Sequence, residues 1–321
     1  MMRKNLLNKY AKQLDIILFP FVILSALILR KIRKMGINGF PKSKKTLLKM
    51  GVFPITDHYY EPLFNPKHLY KELSLERKIK GINWNLKEQL QTLESFDFQD
   101  EFKDIPEDFV NDFVFNFKND SFESGDAEYW YNMIRLKKPR NIIEIGSGNS
   151  TKIARLAIEV NKKNNDKYEC NHICIEPYEM PWLEKIGVKV IRDKVENIDL
   201  SFFDQLEAND FLFIDSSHVI RPQGDVLFEF LELIPNLKNG VIIHVHDIFS
   251  PRDYPKEWII DQVRLWNEQY LLEAFLSFNN DYKIIGALNL LYHNQFELLK
   301  NKCPRITKNG KEPSSIYILK S

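Results

Sequence analysis

Beyond residue 120 the chain alternates short, nearly continuous apolar runs with helical patterns, and few folds accommodate that alternation. The runs NIIEIG, HICIEP, VKVIRD, FLFIDSS and VIIHVHD are separated by helical stretches through KIARLAIEVNK, near PWLEKIG, near SFFDQL and through DVLFEFLELIPNL. Strands that are apolar on both faces and joined by helices belong to a parallel sheet covered on both sides. A helix is expected over residues 259–278, after which YKIIGALNLL and SIYILK read as an antiparallel pair at one edge. The predicted fold is therefore α/β, a doubly wound, mostly parallel seven-stranded sheet with an antiparallel edge strand, over residues 121–321.

The rest of the chain divides at residue 50. Residues 1–50 hold 12 Lys and Arg against one acid, Asp15, whereas the remainder holds 33 bases and 43 acids, so a net charge of +1 conceals an arm of +11 and a body of −10. No global basic patch for nucleic acid follows from this balance. The arm contains IILFPFVILSALIL at residues 16–29, an uncharged run flanked by Lys9 and Lys12 on one side and by Arg30, Lys31, Arg33 and Lys34 on the other. Fourteen residues fall short of the roughly 20 that span a bilayer, and no small-residue cleavage site follows Leu29. The expectation is a helical arm on, or anchored in, the cytoplasmic membrane surface, with Lys42, Lys44, Lys45 and Lys49 adding attraction to anionic lipid. A helix packed on the body or on a second subunit is the alternative. Residues 51–120 read as a helical and aromatic cap, with Leu86, Leu90 and Leu93 at helical spacing, and a helix opened by Ser124-Gly125-Asp126 is stopped by Pro139.

Three cysteines, Cys170, Cys174 and Cys303, do not make a disulfide scaffold and favour a reducing, cytoplasmic compartment. Cys170 and Cys174 would sit about 13 Å apart on a strand, too far to share one ion with His172, so the pattern reads as one strand face with buried thiols.

The strand–turn–helix NIIEIGSGNSTKIA places Glu144, Gly146, Gly148, Ser150 and Thr151 around a tight turn that lets backbone approach a ligand, with Ser150 or Thr151 available as a helix cap. Thr151 stands where a dinucleotide-binding turn carries its third glycine. Glu176 ends the second strand, where a carboxylate can accept both hydroxyls of a ribose. Together these residues, the strand order and the C-terminal edge pair resemble the class I S-adenosylmethionine-dependent methyltransferases, which have a Rossmann-like fold, over roughly residues 121–321. The resemblance implies S-adenosylmethionine as cofactor, with Glu144, Gly146, Gly148, Ser150, Thr151, Glu176 and Asp215 around it, and either Asp193 or Glu196 at the adenine.

The fourth strand ends in Asp215-Ser-Ser-His218 and the fifth in His244-Val-His246-Asp247. Both ends overlook the crevice in which open α/β sheets bind ligands. Asp215 and Asp247 offer hard oxygen ligands suited to Mg²⁺ or another divalent metal, and His218 is a candidate general base. Asp-x-x-His followed by an acid pair resembles the metal-dependent sugar O-methyltransferases, and this implies Asp215 and His218 as catalytic residues and Asp215, His246 and Asp247 as the metal set. The sequence has His246-Asp247 where that family has two adjacent acids. The SPRDYPKEW loop, with Pro251, Tyr254, Pro255 and Trp258, is a candidate wall for an acceptor pocket, and HYYEPLF at 58–64 a candidate lid.

The expected function is methyl transfer from S-adenosylmethionine to an oxygen of a sugar, glycolipid or small metabolite. The alternatives are a non-haem iron hydroxylase on the same fold, because two His and a carboxylate can bind iron, and a non-catalytic, membrane-recruited binding module. Oligomeric state has no signature in the sequence.

Overall fold

The computed structural model describes residues 2–178 and 180–321. The chain forms two compact units, the first ending at Lys71 and the second running Glu72–Ser321.

In the first unit the basic flanks and the uncharged run of residues 16–29 merge into one helix, α1 (Met2–Met35), with Pro20 inside it. Its stretch Tyr10–Met35, 26 residues, is long and apolar enough to cross a membrane by length and composition, and none of its apolar window is buried. At 1.5 Å per residue that stretch measures about 39 Å, against a hydrocarbon core of about 30 Å. The length exceeds the fourteen-residue expectation because helix continues through the charged ends on both sides. A second helix, α2 (Pro41–Lys49), begins on Pro41, whose fixed φ suits a first helical position. Arg33 Nε donates to Glu61 Oε1 at 2.7 Å, and its guanidinium lies 5.1 Å from the Phe53 ring. Residues 58–64 belong to this unit.

The second unit contains α3 (Leu86–Glu94), α4 (Asp126–Lys137), β1 (Asn141–Ile145), α5 (Asn149–Asn164), β2 (Asn171–Ile175), β3 (Lys189–Ile191) and β4 (Phe211–Ile214). It continues through α6 (Asp225–Phe228), a π-helical turn Glu229–Leu233, α7 (Ile234–Asn236) and β5 (Ile242–Val245). A second π-helical turn, Glu257–Asp261, precedes α8 (Glu268–Leu276), β6 (Tyr282–Ala287), α9 (Leu288–Asn294), α10 (Phe296–Lys302) and β7 (Ile316–Lys320). The sheet order is β3-β2-β1-β4-β5-β7-β6, with β1 to β5 parallel and β7 antiparallel to both β5 and β6. The antiparallel pair thus lies at one edge as expected, with β7 slotted inside β6.

Two sequence expectations change. The helix predicted over 259–278 is broken: residues 262–267 form a loop, where Val263 takes a positive φ of 53° and Asn267 Oδ1 accepts the Ile220 N–H at 2.6 Å. The YKIIGALNLL strand ends at Ala287, and α9 and α10 occupy what was read as a short connection to β7. Boundaries at 50 and 120 do not coincide with the compact units. Residues 72–120 supply Leu93, Phe96, Phe102, Ile105, Phe115 and Phe117 to the same core as α4, because apolar side chains this dense are stabilised only by sharing that core.

Alternation along the central strands separates two apolar layers. Ile142, Phe211, Phe213 and Ile242 face α4 and α5, while Ile143, Ile145, Leu212, Ile214, Ile243 and Val245 face the opposite layer. Helix α4 is buried along most of its length. Trp130 packs edge-on against Phe211 at 4.9 Å, and Arg135 grips Glu101 through Nε and Nη2 at 2.7 and 2.8 Å. At its first turn Glu128 accepts the Gly125 and Arg305 N–H groups at 3.1 and 3.0 Å, and Lys138 leaves the helix in a left-handed conformation before Pro139.

Burial pushes the Glu128 carboxyl up to about 7, against the lowering by those two N–H groups. Because the folded state holds this proton more tightly, stability should fall as pH rises from about 4.5 to about 7, by about 3 kcal/mol in total. Denaturant titrations at pH 5 and pH 8 should show Glu128→Gln flattening most of that slope; an unchanged slope would assign it to other groups.

Candidate functional site

The site forms where β1, β4 and β5 end. Gly146 has φ +77° and lies so close to the next strand that a Cβ there would overlap the Asp215 carbonyl oxygen. Asp215 N in turn donates to Ile145 O at 2.9 Å, so the two strand ends are locked side by side. Behind the turn, Thr151 Oγ1 donates to Glu144 Oε2 at 2.5 Å and accepts the Gly148 N–H at 3.1 Å.

Of the residues expected around the cofactor, Gly146, Glu176 and Asp215 line a crevice of about 260 Å³. Glu144, Gly148, Ser150 and Thr151 do not line it. Glu144 and Thr151 are fully buried and bonded to each other, and Ser150 is buried in the first turn of α5, so these three shape the turn from behind. Lys194, Val195 and Glu196 form the far side of the crevice, and Ser216, Ser217, Arg221 and Asp225 its lower wall. Of the two acids expected at the adenine, Glu196 lines this crevice, whereas the Asp193 carboxylate turns onto its own loop, accepting Lys194 N at 2.7 Å and Asn197 Nδ2 at 2.8 Å. Glu176 Oε1 accepts the Tyr178 N–H at 3.0 Å.

On the other side of Asp215 opens a cavity of about 660 Å³, whose walls include Asp215, His246, Asp247, Phe249, Arg252, Pro255, Trp258 and Arg264. Pro255 and Trp258 of the SPRDYPKEW loop line this cavity, whereas Tyr254 is buried and its hydroxyl accepts the Gln269 N–H at 3.1 Å.

At the junction, His246 Nδ1 lies 3.5 Å from Asp215 Oδ1 and 3.5 Å from Asp247 Oδ1, and ligand atoms of all three residues fall within 4.8 Å of one another. His246 Nε2 faces Asp126 Oδ2 at 3.7 Å, yet neither ring nitrogen makes a hydrogen bond. His218 Nε2 lies 3.4 Å from Asp215 Oδ1, and its Nδ1 is 2.7 Å from Glu268 Oε2. The backbone holds His218 as well: at φ +59° its carbonyl accepts the N–H groups of Asn267 and Glu268 at 3.0 and 3.2 Å.

Burial opposes charge on both imidazoles, but the carboxylates around them prevail, Asp215 and Glu268 at His218 and Asp247 and Asp215 at His246, and both pKa values rise well above the usual histidine range. Burial would raise Asp215, but His246 and His218 hold it well below the usual carboxylate range. His244 behaves in the opposite way. Buried on the α4 face, stacked 4.1 Å from Tyr317 and sharing its Nε2 with Ser315 Oγ at 2.9 Å, it is held neutral by burial and is a core residue.

Sequence reasoning missed Asp126, Trp266 and Glu268. In the sequence Asp126 marks only a helix start and Glu268 falls inside the helix expected over 259–278; their partners lie 120 and 50 positions away, a pairing that no local pattern encodes. A second buried group, Glu144, His172 and Cys174, gathers behind the glycine turn because Glu144 pairs in register with Cys174 and Ile142 with His172. Cys170 is not part of it, in keeping with the strand spacing.

A family profile described as a methyltransferase domain matches residues 143–248, from β1 to just past β5. An uncharacterized protein of Archaeoglobus fulgidus is 33% identical over 172 residues, covering 49% of this chain and 75% of that protein. Among solved structures, the O-methyltransferase TomG of Streptomyces achromogenes with S-adenosylmethionine is similar at 13% identity, covering 77% of this chain and 92% of that one with a TM-score of 0.37. An O-methyltransferase of Bacillus cereus with S-adenosylhomocysteine is similar at 14% identity, covering 74% and 98% with a TM-score of 0.38. At such identities and scores no residue role carries over from either structure.

Gly146→Ala should remove the contact between the β1 and β4 ends, since neither the conformation nor the space admits a Cβ. We expect a loss of at least about 2 kcal/mol in denaturant unfolding; wild-type stability in this variant would mean that the two strand ends do not approach so closely.

Proposed function

The chain belongs to the class I S-adenosylmethionine-dependent methyltransferases, and we propose that it transfers the methyl group to a hydroxyl oxygen of a sugar, glycolipid or other small metabolite. The observation that carries this reading is that Asp215 lines both the small crevice and the large cavity. A cofactor in the first and an acceptor in the second meet at one carboxylate. Trp258 and Pro255 offer a flat apolar face for a sugar ring, and the polar side chains around them offer partners for its hydroxyls.

S-adenosylmethionine supplies an electrophilic methyl on a sulfonium: an O–C bond forms as the C–S bond breaks, leaving a thioether, and the hydroxyl proton must go to a base. His218 serves as that base in its neutral form, which the carboxylates around it disfavour and the positive sulfonium beside Asp215 would favour. Glu268 fixes its Nδ1, so Nε2 lies 3.4 Å behind Asp215, the residue that lines both spaces, and Glu268 offsets the charge that develops when the ring takes the proton. Glu176 holds the ribose and Gly146 lets the turn approach the cofactor.

Asp215, His246 and Asp247 fit a divalent ion: one imidazole with two unsatisfied, buried nitrogens and two carboxylates form a donor set suited to Mg²⁺, Mn²⁺ or Fe²⁺. An ion held there would acidify the acceptor hydroxyl and draw carboxylate charge away from His218. Nothing favours the iron hydroxylase, because His244, the second histidine of that strand, belongs to the core.

Calorimetric titration with S-adenosylhomocysteine tests the reading. Wild type should bind; Glu176→Ala should weaken binding by about 1–3 kcal/mol; His218→Gln should keep binding and lose methyl transfer from labelled S-adenosylmethionine. Absence of binding by the wild type would sink the proposal.

We further propose that α1 attaches the enzyme to the cytoplasmic face of a membrane, which favours a lipid-linked or surface-glycan acceptor. The apolar length of Tyr10–Met35 and the lysines of α2 support this. The full-length protein should float with anionic vesicles, and Leu24→Lys combined with Leu27→Lys should keep it in the soluble fraction, each charge opposing insertion by about 2.5–3.5 kcal/mol. Equal flotation of both proteins would count against attachment through α1.

A further inference from the structure

The loop between Glu257–Asp261 and α8 carries a guanidinium that methyl transfer does not employ. Arg264 N donates to Trp258 O at 2.8 Å, next to the positive φ of Val263, and this turn sends the Arg264 side chain back across two indoles. Its guanidinium carbon lies 4.4 Å from the Trp258 ring centroid and 4.3 Å from that of Trp266, and the two rings meet edge-on at 5.1 Å. A guanidinium held against aromatic faces keeps its planar fork of N–H donors while losing rotational freedom. Among the described residues no carboxylate lies within ion-pair distance of it, and it lines the 660 Å³ cavity.

Most neighbouring charges are already engaged, while Asp120 and Glu123 also line the cavity. Arg252 lies 3.6 Å from Glu76 and 3.4 Å from Asn289 Oδ1, and Lys311 rests on the carbonyls of Asp120 and Ser121 at 3.4 and 3.3 Å. Asp253 pairs with Arg77 at 3.2 Å, Glu257 accepts the Gln262 amide at 2.9 Å, and Glu312 lies 3.0 Å from His293. Trp266 also packs 4.1 Å from the His218 ring, so a single indole separates the guanidinium from the base.

We propose that Arg264 is the centre of an anion subsite in the acceptor cavity, which takes the carboxylate or phosphate of an acceptor whose hydroxyl reaches Asp215 and His218. The acceptor class is thus a sugar acid or a phosphorylated sugar. The hydroxyl half of this statement rests on the methyltransferase reading, whereas the anion half is a property of the cavity and can be measured without transfer.

The full-length protein is titrated at fixed ionic strength with inorganic phosphate and with glucuronate, followed by calorimetry and by tryptophan fluorescence, with glucose as the neutral control. Saturable binding of at least one anion is expected. Arg264→Gln should weaken it by about tenfold or more, Arg264→Lys should retain part of it, and the affinity for S-adenosylhomocysteine should not change. Comparison of the two anions tells carboxylate from phosphate. Equal anion affinity in wild type and Arg264→Gln, or no saturable binding by the wild type, overturns the proposal. Failure of the methyltransferase reading looks different: the wild type would not bind S-adenosylhomocysteine, whatever it did with phosphate.

Discussion

The architecture of the site depends on one close approach, the turn after β1 lying against the carbonyl of Asp215. Parallel strands splay at their carboxyl ends unless something holds them, and here Gly146 admits the neighbouring backbone while Asp215 N closes the gap with a hydrogen bond to Ile145. That contact fixes where Asp215 stands. Everything ionisable at the junction is arranged around this carboxylate: His218 on one side, His246 and Asp247 on the other, with Glu268 and Asp126 behind the two rings.

The electrostatics of this cluster explain how it persists inside the protein. Two buried imidazolium rings among four nearby carboxylates compensate one another's desolvation, so the charged forms survive where burial alone would have neutralised them. Glu229 shows the other outcome. Fully buried and close to Glu268 and Asp225, it has its pKa driven well above the carboxylate range and can donate as well as accept; its Oε2 meets Ser216 Oγ at 3.0 Å. Burial raises Glu268 as well, but His218 works against that rise, so the two acids are set apart by which of them reaches a histidine.

The sheet was legible because its strands are apolar on both faces, a pattern few other structures share, and Gly146, Glu176 and Asp215 were legible because strand ends fall at predictable places in such a sheet. The roles of Glu144, Ser150 and Thr151 were not, since strand periodicity says which face a side chain takes but not whether a neighbour consumes it; Glu144 is consumed by Thr151. The break before α8 escaped notice for a related reason. The apolar pattern of residues 259–278 suits a helix, and only the tertiary bond from Ile220 to Asn267, with the His218 carbonyl on the two following N–H groups, stops one from forming. Composition changes at residue 50 whereas the compact units divide after residue 71, because charge balance does not report packing.

The grip of Asn267 and Glu268 on the His218 carbonyl has a bearing on how this enzyme can diversify. The loop that holds Arg264 and Trp266 ends on the very peptide groups that pin His218, so its C-terminal anchor has no slack. Trp258 fastens the other end through its carbonyl and its ring, and an insertion after Trp266 would drag the imidazole out of line along with the wall. Lineages that change acceptor while preserving turnover should therefore exchange side chains on this loop and keep its length.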